Sequence, residues 1–237
     1  MFKSKKRFVL LIIIIVVFIL FLTICLKSKY LPTETDLNEM LKENNNISNM
    51  FTSYKEVKND NVTTTKIYVY DNLHYAVKRD NDSDKIVNEY YYDSKTSKLV
   101  TVNHTNNTII ELEEIKQQNF INGFLGKNDF YDLGTFLEYK YLGKEKVNEI
   151  ECIKVCFLEE NYNKIDNTYF YIDVHNKNII KMEVYQGNSS SKMEKIHEKV
   201  YGKYVYGENV LSDIPKFDIN NYPNFFVQKF DNRSFFI

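Results

Sequence analysis

Two cysteines stand four residues apart in a stretch that alternates like a β-strand. Cys152 and Cys156 alternate with Ile153, Val155 and Phe157, a period-two pattern typical of extended chain. On a strand, residues four apart face the same way but lie roughly 13 Å apart, whereas a disulfide needs Cα atoms within about 7 Å. On a helix the same spacing could hold a metal ion, but the alternation disfavours a helix. The sequence therefore predicts two core or lining thiols that do not bond to each other.

The histidines form no recognisable ligand set. No two have metal-ligand spacing, and no H-E-x-x-H or C-x-x-C motif accompanies them. The sequence also lacks G-x-S-x-G, S-x-x-K with its partner motifs, G-x-x-x-x-G-K and G-x-G-x-x-G. Two of the histidines, at 104 and 175, fall in predicted turns, where we expect surface side chains. The four are His74, His104, His175 and His197.

The acidic pairs do not suggest a hydrolytic site. Glu113 and Glu114 are adjacent, as are Glu159 and Glu160, so the two side chains of each pair diverge on a strand or a helix. We interpret them as solvated charges and not as a glycosidase dyad. We therefore predict a protein that is not an enzyme, with no catalytic, cofactor-binding or metal residues and no cofactor, and we assign no ligand-binding residues.

Tyrosine-rich strands are the remaining signal for function. Two interpretations stay open: the rings fill the core of a curved sheet, or they line a concave apolar groove for a lipid or a protein partner. The tyrosines concerned are Tyr68, Tyr70, Tyr75, Tyr90, Tyr91, Tyr92, Tyr169 and Tyr171.

Residues 8–26 form an uncharged apolar run of nineteen residues, FVLLIIIIVVFILFLTICL. As a helix it would span about 28 Å, close to the thickness of a bilayer's hydrocarbon core. It is longer than a typical signal-peptide core and lacks a small-x-small exit site, so we predict an uncleaved anchor over a cleaved signal. Lipidation of Cys25 is a third alternative, but Ile24 is larger than a lipobox usually allows. Four basic residues precede the run and two follow it, which predicts a cytoplasmic N-terminus.

The distribution of charged residues also changes shortly after the apolar run. Residues 1–30 contain six basic and no acidic residues, which leaves 25 basic and 32 acidic residues, a net charge of −7, in residues 31–237. A segment with a net negative charge has no electrostatic reason to bind nucleic acid. We predict two parts: a cytoplasmic tip and transmembrane anchor over 1–30, and an extracytoplasmic domain over 31–237.

Changes in the spacing of apolar residues predict the helices and strands of residues 31–237. A helical pattern runs from Thr35 to about residue 51, and residues 51–112 alternate as a meander of short strands with regular turns. The period lengthens over 113–138, where Gly126 ends one short helix and a second follows. The tail from Asp213 is predicted to be an edge or an extended cover, because its prolines cannot donate ladder bonds. Further strands are predicted over 139–142, 150–158, 168–174, 179–185 and 195–205.

Three hairpin segments then resemble the LolA-like family of extracytoplasmic lipoprotein carriers and its relatives in Gram-positive spore formers. They are residues 92–100 (YDSKTSKLV), 141–153 (YLGKEKVNEIECI) and 171–183 (YIDVHNKNIIKME). The resemblance covers about residues 36–223 by layout. It implies a half-open antiparallel β-barrel wrapped against helices, with an apolar concave face. Members bind lipid or acylated protein or act as partner modules, and one clostridial relative is a germination lipoprotein that supports a spore-cortex amidase.

The expected fold is therefore α+β and mostly antiparallel β, a half-open curved sheet covered by two or three short helices and preceded by one transmembrane helix. Such a cover would leave an apolar hollow in the curl. The expected function is a membrane-anchored binding module for a lipid, an acyl ligand or an envelope protein, since a fixed anchor does not suit a shuttling carrier. The alternative is a regulatory or structural partner of a cell-wall or spore-cortex hydrolase that binds through strand edges.

Overall fold

A computed structural model describes residues 49–136, 139–161, 164–189, 192–207 and 214–230. The predicted anchor over 8–26 and most of the helical pattern over 35–51 lie outside these residues. In the described part of the chain, no helix combines the length and the apolar character that a membrane crossing requires.

The described residues fold mainly into one open, curved sheet of thirteen strands. Two helices, α1 (Gln117–Phe124) and α2 (Lys127–Phe136), interrupt the strands, and a 3₁₀ turn spans Ile219–Asn221. The strands are β1 (Asn49–Lys58), β2 (Asn61–Tyr70), β3 (Leu73–Asp80), β4 (Ile86–Asp93), β5 (Lys98–Asn103), β6 (Thr108–Leu112), β7 (Tyr139–Val147), β8 (Ile150–Asn161), β9 (Lys164–Asp173), β10 (Ile179–Gly187), β11 (Met193–Tyr201), β12 (Val205–Tyr206) and β13 (Phe226–Phe230).

The sheet consists of two meanders joined side by side. Its order is β13-β6-β5-β4-β3-β2-β1-β11-β10-β9-β8-β7, with β12 also paired to β1. The two meanders, β1–β6 and β7–β11, meet where β1 pairs with β11. Every one of these pairings is antiparallel except that of β13 with β6, which is parallel.

Short turns set the register of the hairpins. Asn59 and Asp60 connect β1 to β2, and Asn148 and Glu149 connect β7 to β8; all four have positive φ. Two-residue turns with positive φ at both positions match the right-handed twist of the flanking strands, and Asn and Asp tolerate that conformation better than most residues. The chain thereby builds tight hairpins with very few glycines.

We call the face of the sheet that carries α1 and α2 the inner face, and it holds the largest apolar core. Phe120 of α1 stacks on Tyr92 of β4, with ring centroids 5.2 Å apart. Phe130 of α2 packs edge-on against Phe157 of β8 and Phe170 of β9, each at 5.2 Å. One helix thus packs on each meander, and together they tie the two halves of the sheet.

Gly126 permits the sharp connection between the two helices. Its φ of +70° lies in the left-handed region that glycine adopts without a steric penalty. A Cβ there would lie 2.7 Å from the hydroxyl oxygen of Tyr201, so a side chain has no room. The predicted helix end at Gly126 is confirmed, since α1 ends at Phe124.

The opposite, outer face is covered over β2–β6 by the C-terminal tail, residues 214–230. Ile214 packs on Tyr75 and Val77, while Phe217, Tyr222 and Phe225 pack on a second cluster centred on Val100, Val102 and Ile109. The tail ends as the edge strand β13. The prediction of an edge or extended cover is confirmed in both respects.

The predicted helical pattern over 35–51 was wrong at its C-terminal end. The helical pattern was extended to residue 51, but Met50 and Phe51 belong to β1. Here Met50, Thr52 and Tyr54 point inward together. A buried threonine in that set weakens the hydrophobic alternation by which a strand is recognised.

Candidate functional site

The inner face, where the sequence analysis placed an apolar hollow, is filled by side chains. Phe130, Phe157 and Phe170 are each at most 1% exposed. Phe120 and Leu125 close the same core from the helix side, at 5% and 1% exposure. A ligand that entered between the sheet and the helices would have to displace these side chains.

The two thiols lie where the strand pattern predicted. Cys152 and Cys156 both belong to β8, are buried, and are not bonded to each other. Burial raises the pKa of Cys152 to about 11 and also raises that of Cys156. Thiols with raised pKa values are poor nucleophiles and poor metal ligands. Within the described ranges, no group of three or more His, Cys, Asp and Glu side chains is placed to hold a metal ion.

The histidines are dispersed over the sheet. His74 is 1% exposed, next to Phe120 and within 3.3 Å of the Gln117 side-chain amide. Burial lowers the pKa of His74 to about 4, so the ring is neutral at physiological pH. His175 lies exposed in a turn, as predicted. His104 also lies in a turn, where its side chain is half-buried and its Nε2 lies 2.8 Å from a carboxylate oxygen of Glu89.

His197 belongs to a polar group at one end of the inner face. Its Nε2 lies 2.8 Å from one oxygen of Glu56, and Lys78 donates to the other oxygen at 2.6 Å. The hydrogen bond from His197, with that of Lys78, lowers the pKa of Glu56 to about 2 despite its burial. The three residues come from β11, β1 and β3, so this group links the two meanders across their junction.

A second buried carboxylate anchors the tail. Glu89 of β4 is 7% exposed and accepts four hydrogen bonds, from Tyr75, Tyr91, His104 and Tyr222, at 2.8–2.9 Å. Burial opposes its ionisation, but these hydrogen bonds outweigh burial and lower its pKa. Because Tyr222 lies 133 positions from Glu89, no local sequence signal could have predicted the group.

The tyrosines singled out in the sequence divide between the two faces. Tyr90 and Tyr92 pack with the helices on the inner face. Tyr68, Tyr75 and Tyr91 form a row of rings on the outer face, which Phe217 of the tail extends at 5.6 Å from Tyr91. The outer set also includes Tyr70, Tyr169 and Tyr171. The alternative in which the rings fill a core describes part of the set, and none of these tyrosines lines an open inner groove.

The two outermost strands, β7 and β13, differ in the kind of side chain that they expose to solvent. At β7, Lys140, Lys144 and Lys146 are exposed, and the pairing with β8 shifts register next to Gly143. Charges and irregular pairing are common ways in which edge strands avoid unwanted pairing. At β13, Phe226 is 66% exposed and Val227 36%. The apolar edge at β13 is therefore the more open of the two.

No protein-family model matches this sequence, and no curated protein matches it either. Among solved structures, the fold is similar to an uncharacterized conserved protein from Thermus thermophilus, with a TM-score of 0.49, 6% identity, and coverage of 82% of this chain and 98% of that one. It is also similar to the complex structure of Pseudomonas aeruginosa MucA/MucB, with a TM-score of 0.46, 11% identity, and coverage of 75% and 58%. A third similarity is to Mycobacterium tuberculosis lipoprotein LppX, with a TM-score of 0.39, 8% identity, and coverage of 75% and 100%.

Proposed function

We propose that this chain is a membrane-anchored, extracytoplasmic binding module of LolA-like fold that performs no chemistry and binds a protein of the cell envelope. The apolar run over 8–26 supports the anchor, and the basic residues before it support the orientation. The open antiparallel sheet with two short helices on one face supports the fold.

The packed inner face is the observation that favours a protein partner over an acyl chain. Small-molecule pockets are concave and largely pre-formed, whereas here Phe130, Phe157 and Phe170 fill the space between the sheet and the helices. Binding must then use surfaces outside this core.

The edge at β13 is the surface best suited to an extended partner segment. Strand addition uses the unpaired backbone groups of an edge for affinity and neighbouring side chains for specificity. Phe226 and Val227 offer exposed apolar contacts there, while Lys229 bonds to Glu111 of β6. A cell-wall or spore-cortex hydrolase is the class of partner that the family resemblance implies.

The test compares two edges of the same protein. Substituting Phe226→Lys together with Val227→Lys gives β13 the charged character of β7, and Leu142→Lys on β7 is the matched control. Cross-linking in intact cells followed by quantitative mass spectrometry should show an envelope protein that the β13 variant loses by about tenfold or more. Recovery of the same proteins by all three forms would contradict this proposal.

An acyl ligand is the second candidate, because the two helices that the described residues place on the inner face are short. The N-cap residue of α1, Lys116, makes no side-chain capping bond, and such caps typically contribute about 1 kcal/mol. A piece beginning at residue 31, purified without detergent, would be analysed by native mass spectrometry and titrated with a fluorescent fatty acid. An adduct and saturable binding would support this candidate; their absence would leave the protein partner.

A further inference from the structure

An open cleft of about 530 Å³ lies at one end of the sheet, and no residue of β13 is among its described lining. It is bounded by the β7–β8 turn, the β9–β10 turn and the segment that connects β11 to β12. Asn148 comes from the first of these, Asn176 from the second, and Tyr204 from the third. A second cleft of about 480 Å³ shares Asn148, Tyr201 and Gly202 with it, so the two openings are continuous.

Three tyrosine rings stand along one wall of this cleft. Tyr204 lies between Tyr201 and Tyr206, with ring centroids 6.4 Å from each and interplanar angles of 23° and 15°. Tyr206 is 47% exposed. Its hydroxyl accepts a hydrogen bond from the Asn178 amide at 3.0 Å, and Tyr204 donates to the carbonyl of Ile179 at 3.1 Å. The rings are therefore held in nearly parallel planes, and Tyr206 is the exposed member of the three.

Polar groups are arranged beside the rings. Asp173 is 2% exposed and accepts from the backbone N–H groups of His175 and Asn176 at 2.8 and 3.2 Å. Its other oxygen accepts from the Asn176 side-chain amide at 2.8 Å, which orients that amide at the cleft. Asn148, exposed in its tight turn, places a second side-chain amide at the cleft. Side-chain amides provide both donors and acceptors, so they suit a ligand that does both.

The charge at the cleft is balanced. Asp173 and Lys203 are the charged residues among its described lining. A ligand with a strong charge of either sign gains little there, and the polar rim does not suit an alkyl chain. The site fits a neutral molecule with flat apolar faces and edges rich in hydroxyl or amide groups.

We propose that this cleft is a saccharide-binding site that takes a neutral oligosaccharide through stacking on Tyr206 and hydrogen bonds to Asn148 and Asn176. A pyranose ring has C–H faces that pack against an aromatic ring and an equatorial rim that exchanges hydrogen bonds with amides. A volume of about 530 Å³ falls within the usual range for small-molecule sites. This goes beyond the proposed function, because the cleft is separate from the β13 edge and its ligand is not a protein.

The test uses the full chain in lipid nanodiscs and tetra-N-acetylchitotetraose as the probe. Saturation-transfer NMR and calorimetry should show saturable binding. Tyr206→Ala should weaken binding by about tenfold, and Asn176→Ala by about threefold. Tyr206→Phe retains the ring and should bind within about threefold of the parent. Ile219→Ala, which removes an exposed apolar side chain outside the described lining of the cleft, is the control and should bind like the parent.

Circular dichroism of each variant ensures that a loss of binding reflects the site and not unfolding. Absence of saturable binding by the parent chain would overturn the proposal. Equal binding by the parent and a folded Tyr206→Ala variant would overturn it as well. Failure of the β13 variants to lose a protein partner would contradict the proposed function without affecting this cleft, so the two outcomes can be told apart.

Discussion

Single carboxylates link distant strands of this sheet. Glu56 bonds to partners on β11 and β3, and Glu89 bonds to partners on β3, β4 and the C-terminal tail. Each accepts charge-assisted hydrogen bonds, which are stronger than bonds between neutral groups. Loss of the negative charge should weaken all partners of that carboxylate together, so the pH dependence of folding reports on these groups.

Glu56 should contribute to acid sensitivity. Its pKa is lowered from 4.5 to about 2 in the folded state, so its contribution is complete above about pH 4.5 and is lost as the pH falls toward 2. The full linkage corresponds to about 3 kcal/mol, which is an upper bound for a group that solvent partly reaches. Urea unfolding at about pH 6 and about pH 3 should show a smaller difference for Glu56→Gln than for the parent. The exposed Glu113→Gln is the control, and an unchanged pH difference in Glu56→Gln would count against the role given to this carboxylate.

The thiols of β8 should stay reduced and unreactive. Same-face placement on a strand separates Cys152 from Cys156, and burial raises both pKa values. Peptide mapping without reduction should find no bond between them, and alkylation at neutral pH should label both only after denaturant is added. A Cys152–Cys156 disulfide in the mapped peptides would refute the strand assignment.

The C-terminal tail is held to the sheet by a few specific contacts. Tyr222 bonds to both Glu89 and Tyr91, and Phe217 packs on the ring of Tyr91. Most of the tail is otherwise exposed, and β13 contacts the sheet through β6. Elements with little buried apolar area open at low free energy, so we expect the hydrogen bonds of Glu89 to contribute to keeping the tail on the sheet.

Replacement of Glu89 should therefore loosen the tail before it affects the rest of the sheet. Glu89→Gln retains the shape of the side chain but removes the charge that four donors share, and we expect a loss of about 1–3 kcal/mol. Hydrogen exchange in residues 214–230 should accelerate in this variant and remain at the parent rate in Glu113→Gln. Uniform acceleration across the helices and both meanders would show instead that Glu89 supports the whole fold.

Local sequence patterns predicted the helices and strands better than they predicted the tertiary contacts between them. Alternation around Cys152 and the stop at Gly126 identified β8 and α1 because both signals lie within a few residues. The sequence left open whether the inner face is filled or hollow, because the fit of Phe130 between Phe157 and Phe170 depends on strands that come later in the chain. The saccharide cleft was missed for the same reason, since its residues come from three separate connections.

For the molecule as a whole, the prediction concerns topology. If residues 31–237 lie outside the cytoplasm and stay attached, protease added to intact protoplasts should remove a C-terminal tag while a cytoplasmic marker survives. The expectation rests on the uncharged run over 8–26 and the basic residues before it. A protected tag, or a mature N-terminus beyond residue 25, would contradict it.

The pairing of β1 with β11 also determines when this sheet can be completed. Tyr54 lies opposite Tyr201, 147 positions later, whereas the hairpins on either side close over a few residues. At synthesis rates of about 5–20 residues per second, β1 waits roughly 7–30 s with one edge unpaired. The exposed Lys55 and Lys58 lie on that waiting strand, where charge discourages pairing with other chains. A nascent chain that stalls before β11 would keep this edge open, and aggregation is the fate that we expect for it.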